Sequence, residues 1–311
     1  MPKPAIRHAL LFVSVFTTIV AIFVFSKALS HQSQAGSDSL SPSHPIMTIA
    51  TSFPFLADII QHVGKGYVTV RLGTTDMKGV RAYIALSNAA DQQETDALAS
   101  SEDHVPVYTV GDYIVERADA IAQMLASNDS VSPISSSTLA EDQGGYFWLS
   151  SLGGREVASF VARTLGTLDP THSVFYFNNA YEYEYNLNDV GSALYDQLQP
   201  VRATKIIVTS PSWDLFLGTF DIHPFARIDV PDKSDPQFSS AMQAVAGMLK
   251  NHPDAYVLAD ESFPLDALDA IQQKLSARAI VVHVYGSTTA TSTPYVDFLK
   301  GIVAQLMQDL P

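Results

Sequence analysis

The sequence predicts an α/β protein of two lobes joined by one long helix, and three observations carry that class. The chain has 311 residues, beyond the usual reach of a single hydrophobic core, so two domains are expected. From Lys205 to the C-terminus, short β-branched runs alternate with helical patterns, which is how a parallel sheet flanked by helices reads. Between the two halves, Phe177, Ala180, Tyr181, Leu187, Val190, Leu194 and Leu198 keep helical spacing over a stretch long enough to be a spine.

The elements follow in order. Lys3, Arg7 and His8 precede an apolar run from Ala9 to Phe25 that has no polar face. Its length sits at the lower edge of a membrane span and just above a usual signal-peptide core. Ser26-Lys27-Ala28 offers a small-x-small cleavage site. Residues 1–29 are therefore read either as a cleaved signal peptide or as a transmembrane helix that anchors the chain with Lys3 and Arg7 in the cytoplasm. Both readings put the remainder outside the cytoplasm, in the periplasm or at the cell surface. Residues 30–45, rich in Ser, Gln, Gly and Pro, read as a flexible tether.

The first lobe is read over residues 46–170. Ile46 to Ala50 is a strand, and Phe53-Pro54 opens a helix through Leu56, Ile59, Ile60 and Val63 that Gly64 stops. Tyr67 to Leu72 alternates as a strand does, residues 76–101 read as mixed helix and loop, and Val105 to Val110 is a further strand. A helix through Ile114, Ala118, Ile121 and Leu125 comes next, and Asn128 to Ser137 is loop. Val157, Phe160, Val161, Leu165 and Leu168 share a helical face, and Asp169-Pro170 is read as the cap and first turn of the linking helix over 171–198. In the second lobe, 199–311, strands are expected at Lys205–Thr209, Ala226–Val230, Ala255–Ala259 and Ala279–Val284. Helices are expected around Trp213 and after Asp235-Pro236, Pro264 and Thr293-Pro294.

Composition excludes several functions. A net charge of −14, with no basic run after Lys27, argues against a nucleic-acid partner, which needs clustered Lys and Arg. The absence of cysteine rules out disulfides, thiol nucleophiles, thiolate metal sites and a lipoprotein anchor. No Gly-x-Gly-x-x-Gly, Gly-x-Ser-x-Gly or His-Glu-x-x-His occurs, so the chain reads as non-catalytic. The strand ends of the second lobe, where ligands bind in such sheets, carry Ser210, Asp232, Asp260 with Glu261, and His283. That set supplies nitrogen and oxygen donors for a divalent metal, although an acidic chain places carboxylates at many loop starts by chance. Phe175, Tyr176, Phe177, Tyr181, Tyr183 and Tyr185 read either as the packing and rim of the spine, the favoured account, or as a carbohydrate or ligand platform.

The stretch Gly145-Tyr146-Phe147-Trp148-Leu149, then Leu168-Asp169-Pro170 and Asn179-Ala180-Tyr181, resembles the middle of the periplasmic zinc/manganese ABC-transporter substrate-binding proteins of the cluster A-I, TroA-like type. Thr51-Ser52-Phe53-Pro54, the run Gly64 to Leu72, the run Ile206 to Phe216 and the closing helix Tyr295 to Leu310 are similar to that family in order and spacing. The resemblance implies two α/β lobes with parallel sheets on one rigid helix, a zinc or manganese ion in the cleft between them, and an ABC permease as partner. It places the family's ligand positions on Lys78, Tyr146, Ser210 and His283, with Asp260 and Glu261 as additional acidic groups. Of the four family positions only His283 is an ordinary metal ligand. A lysine ammonium has no lone pair to offer, so zinc or manganese binding at the family site is expected to be weak, or absent altogether. The expectation is thus an extracytoplasmic solute-binding protein with a degenerate metal site, binding a metal or another small solute. The alternative is a membrane-tethered interaction domain that has lost metal binding.

Overall fold

The structure, a computed structural model, describes residues 45–102, 104–117, 146–250, 254–286 and 294–310. The apolar run 9–25, nearly all of the tether and the loop expected at 128–137 lie outside the described residues. Among the described residues no helix is long and apolar enough to cross a membrane.

Among the described residues two separate sheets form, each of four parallel strands. The first holds β1 (Met47–Thr51), β2 (Val68–Leu72), β3 (Val80–Ala85) and β4 (Val107–Thr109) in the order β2-β1-β3-β4. The second holds β5 (Lys205–Val208), β6 (Ala226–Arg227), β7 (Ala255–Asp260) and β8 (Arg278–Val282) in the order β6-β5-β7-β8. Helices cover both faces, so a central strand has no polar face: every residue of β7 is buried.

Two strands differ from the sequence reading. β3 occupies part of the segment read as mixed helix and loop, because pairing with β1 and β4 on both sides fixes an apolar run that Arg81 interrupts in sequence. β6 ends at Arg227 rather than Val230, since it has a single partner and meets Pro231 four residues on.

The helices follow the hydrophobic spacing. α1 (Pro54–Gly64) buries Leu56, Ile59, Ile60 and Val63, and α2 (Gln92–Ala99) follows β3. α3 (Ser151–Leu168) is capped by Ser150, whose Oγ accepts from the Gly153 N–H at 3.0 Å. The spine, α4 (Ser173–Gln197), runs 25 residues and buries Tyr176, Ala180, Tyr183, Leu187 and Leu194 along one face. Asp169 precedes it but does not cap it. Its carboxylate instead accepts from the Tyr176 hydroxyl at 2.8 Å and meets His172 Nδ1 at 2.7 Å, and a 3-10 turn, Pro170–His172, intervenes. α5 (Trp213–Thr219), α6 (Pro236–Leu249), α7 (Leu265–Leu275) and α8 (Tyr295–Asp309) complete the second half.

The closing helix α8 packs back across the first lobe. Phe298 stacks on Phe55 of α1 at 4.8 Å, and the Tyr295 N–H donates to Asp58 Oδ2 at 3.0 Å. The Tyr295 hydroxyl, fully buried, lies 2.8 Å from the Trp148 carbonyl and 2.7 Å from that of Ser150. One apolar cluster therefore runs continuously from Ile49 to Leu310. The two lobes share a core as well as a linking helix.

Candidate functional site

Where the carboxyl ends of the two sheets approach, the chain contributes an aromatic group and a set of carboxylates. The Phe147–Leu149 3-10 turn carries Trp148, whose Nε1 donates to the Val284 carbonyl beyond β8 at 2.7 Å. Just ahead of that turn, Tyr146 donates its hydroxyl to Asp260 Oδ2, at the end of β7, at 2.7 Å. The Tyr146 main-chain N–H donates to the Ser212 carbonyl at 3.1 Å, and its ring meets Trp213 edge-on at 5.1 Å. Burial, and then the Asp260 charge, push the Tyr146 phenol far above its ordinary value, so it remains a donor.

Asp260 and Glu261 are both engaged by protein donors. Asp260 Oδ1 accepts from the Ser262 N–H at 2.8 Å and from the Ser262 hydroxyl. Glu261 accepts from the Val284 N–H at 2.9 Å and from that of Tyr285 at 3.4 Å. The Tyr285 ring stacks on two others, on Phe53 at 5.6 Å and 27° and on Trp148 at 5.6 Å and 24°. Phe53 comes from the exit of β1, so this stack crosses from one sheet to the other.

A third carboxylate lies on the first-lobe side. Asp91, fully buried before α2, accepts from the Tyr83 hydroxyl at 2.6 Å and from the N–H groups of Leu86 at 2.7 Å and Ser87 at 3.2 Å. Burial raises its carboxyl to about 6, and those three donors oppose the rise. The charges of Asp260, Glu261 and Asp91 all bear on Tyr285, whose phenol is pushed up to about 12, chiefly by burial.

The sequence-derived positions are distributed unevenly. Tyr146 and Asp260 touch, with Glu261 adjacent. Ser210 Oγ accepts from the Ser212 N–H at 3.1 Å, shaping the turn that also receives Tyr146. Asp232 accepts from the Ser234 N–H at 2.8 Å and serves its own exposed turn. Lys78 and His283 are exposed, and among the described residues neither side chain forms a hydrogen bond or an ion pair. Among the described residues no group of three or more His, Cys, Asp or Glu is arranged to hold a metal ion.

Sequence reasoning missed Phe53, Tyr285 and Asp91 as members of this site. Phe53 and Tyr285 follow strand ends, a position that marks a candidate in a parallel sheet. Asp91 stayed hidden because β3 ahead of it was not recognised.

The aromatic-rich spine divides in two. Tyr176 and Tyr183 are buried, which agrees with packing, whereas Phe177, Tyr181 and Tyr185 are exposed on the opposite side.

The family described as zinc-uptake complex component A, periplasmic (ZnuA) matches residues 49–308. The high-affinity zinc uptake system protein ZnuA of Brucella abortus (strain 2308) is 23% identical over 167 residues, covering 53% of this chain and 50% of that protein. Its counterpart in Brucella suis biovar 1 (strain 1330) is 25% identical over 142 residues, 46% of this chain and 42% of that one. The chain thus spans about half the length of the curated relatives it matches. A crystal structure of ZnuA superposes with a TM-score of 0.59 at 18% identity, over 85% of this chain and 98% of that one. A cadmium-bound periplasmic metal-binding protein from Candidatus Liberibacter asiaticus gives 0.58 at 15%, over 84% and 98%. At those identities the likeness is one of fold.

Proposed function

Because the chain belongs to the ZnuA family of periplasmic zinc-uptake components, we propose that it is the extracytoplasmic solute-binding component of a zinc/manganese-type ABC uptake system, with a degenerate metal site. Residues 46–170 and 199–311 are its two lobes, residues 171–198 the helix that links them, and an ABC permease its partner. The N-terminal segment holds it at the membrane or is removed on export. The observation that carries this reading is the family match along residues 49–308 together with the two parallel sheets on either side of one long helix. Relatives include zinc-, cadmium- and manganese-bound structures, which makes a divalent ion the cargo to test first.

The degenerate character rests on the donor chemistry. A first-row ion needs three or more nitrogen, oxygen or sulfur ligands converging on one point. Among the described residues no third His, Asp or Glu joins Asp260 and Glu261 in a metal-holding group, and both already accept from the protein. The same observation favours a second reading, an extracytoplasmic interaction domain that keeps the fold without carrying metal.

Equilibrium dialysis of the purified full chain against zinc and manganese, followed by elemental analysis, tests the proposal. The expected result is substoichiometric metal, unchanged in His283→Ala. One tightly bound ion per chain, lost in His283→Ala, would restore an ordinary metal receptor.

A further inference from the structure

Resting on the reading that the N-terminal segment holds the chain at the membrane, we infer that the exposed aromatic line of the spine, α4, is a docking face for the headgroup region of a phospholipid bilayer. Val174, Phe177, Tyr181 and Tyr185 recur at the three- and four-residue spacing that puts side chains on one side of a helix. They are 74%, 48%, 72% and 62% exposed, on the side away from the buried Tyr176, Ala180, Tyr183 and Leu187. Asn188 and Tyr195 continue the line, which is about 30 Å long. None of these six side chains is charged, although the chain carries −14 overall. The acidic groups of α4 sit off the line. Glu184 accepts from the Ser159 hydroxyl of α3 at 2.6 Å, and Glu182, Asp189 and Asp196 fall on the opposite flank.

The groups in contact with the far end of the line are cationic. Arg155 of α3 donates from Nη1 to Asn188 Oδ1 at 2.9 Å, and the Arg202 guanidinium lies 4.0 Å from the Tyr195 ring centre. Among the described residues neither arginine forms an ion pair with Asp or Glu. Phenols and guanidiniums beside one uncharged strip suit the headgroup region, where a Tyr ring has an apolar body and a wet tip and a guanidinium finds phosphate. The net charge of −14 disfavours an anionic leaflet, so the surface is one of zwitterionic lipid.

The path of the chain brings such a surface within reach. The Ile46 N–H donates to the Tyr67 carbonyl at 2.9 Å, and the Tyr67 ring lies 4.3 Å from His172 and 4.8 Å from Phe175. The chain therefore enters the fold beside the Val174 end of the line. Residues 26–45 separate that point from the apolar run 9–25, and a tether of that length and composition spans roughly 25 Å. A bilayer that holds the run can meet the line, and the tether raises the local concentration enough for a weak contact to persist.

The absence of cysteine makes one introduced thiol a unique label. Asn178→Cys places it at an exposed position beside Tyr181 without removing an aromatic ring, and Gln273→Cys on α7, also exposed, is the control. Each full chain is labelled with bimane and reconstituted in phosphatidylcholine vesicles that contain doxyl-labelled lipid. The label at 178 is expected to shift to the blue and lose much of its emission to the doxyl group, with the label at 273 unchanged. Phe177→Glu combined with Tyr185→Glu should bring quenching at 178 down to the control level. If that pair does not fold, Phe177→Gln with Tyr185→Gln replaces it. Quenching at 178 no greater than at 273 overturns the inference, and so does quenching that survives the paired substitutions. A disulfide-linked dimer of unlabelled Asn178→Cys, formed in vesicles where the label is not quenched, puts a second copy on the face and overturns it too. Loss of the chain from the vesicles to the supernatant overturns the membrane-held reading together with this inference. Retention on the vesicles without quenching at 178 overturns this inference alone.

Discussion

Gly154→Ala isolates the contact that locks the closing helix onto the first lobe. In an open helical position this change gains up to about 1 kcal/mol of helix propensity. Position 154 is not open. An added Cβ would lie 2.2 Å from Tyr295 Cε1 and 2.6 Å from its Cζ and hydroxyl. The ring has little room to yield, because Tyr295 is fully buried, faces Phe55 and Phe298, and has its hydroxyl on the Trp148 and Ser150 carbonyls. Overpacking of this kind costs roughly 1–3 kcal/mol. Losing the hydroxyl's bond to a buried carbonyl adds roughly another 1–3 kcal/mol. The helix gain does not exceed the low end of either cost, so the variant should lose about 1–5 kcal/mol overall. Urea unfolding of the full chain should show a lowered midpoint at unchanged slope. Gly301→Ala is the control: it is exposed within α8, an added Cβ meets nothing within 4 Å, and it should gain up to about 1 kcal/mol. Combining Gly154→Ala with Tyr295→Leu should restore part of the loss, a coupling that independent sites would not show. A Gly154→Ala protein as stable as the wild type would refute the reasoning.

Asp91 should leave a distinct pH signature. Its folded-state carboxyl, raised to about 6, binds a proton more tightly than the same group in the unfolded chain. Native stability should therefore fall as pH rises from about 4 to about 6 through this group, and Asp91→Asn should remove that slope. The same variant should cost roughly 1–3 kcal/mol at neutral pH, since an amide cannot accept from Tyr83, Leu86 and Ser87 together. Unfolding curves measured at intervals across that range check both, and an unchanged slope would count against the burial argument. For topology, a C-terminal alkaline phosphatase fusion to the full chain should be active in a Gram-negative host. Activity of a cytoplasmic reporter in its place would contradict the export reading of the first twenty-nine positions, Met1 to Leu29.

Much of the fold was legible because each of its elements is a local pattern. The apolar spacing of Leu56, Ile59, Ile60 and Val63 marks α1 wherever it packs, and Asp235-Pro236 starts α6 through a carboxylate that accepts from the Gln237 N–H at 2.8 Å. The long spine was visible for the same reason. β3 was obscured because a strand's identity depends on its neighbours, and Arg81 breaks the apolar run that β1 and β4 complete. Asp169 misled the reading in a different way. Asp-Pro is a sound local start signal, but the tertiary structure recruits the carboxylate to Tyr176 and His172 instead.

The sequence by itself determined the class of the protein: an acidic, cysteine-free α/β chain with a long central helix and a series of candidate residues at strand ends. Hydrophobic periodicity and composition are short-range properties, and they survive in a single string of letters. Only the tertiary structure decided which candidates meet. It joined Tyr146 to Asp260 across 114 residues and Trp148 to the Val284 carbonyl across 136, and it stacked Tyr285 on both Phe53 and Trp148. It left Lys78 and His283 exposed, without side-chain partners among the described residues. These pairings depend on two sheets turning their carboxyl ends toward one another, and no local pattern in the chain encodes that approach.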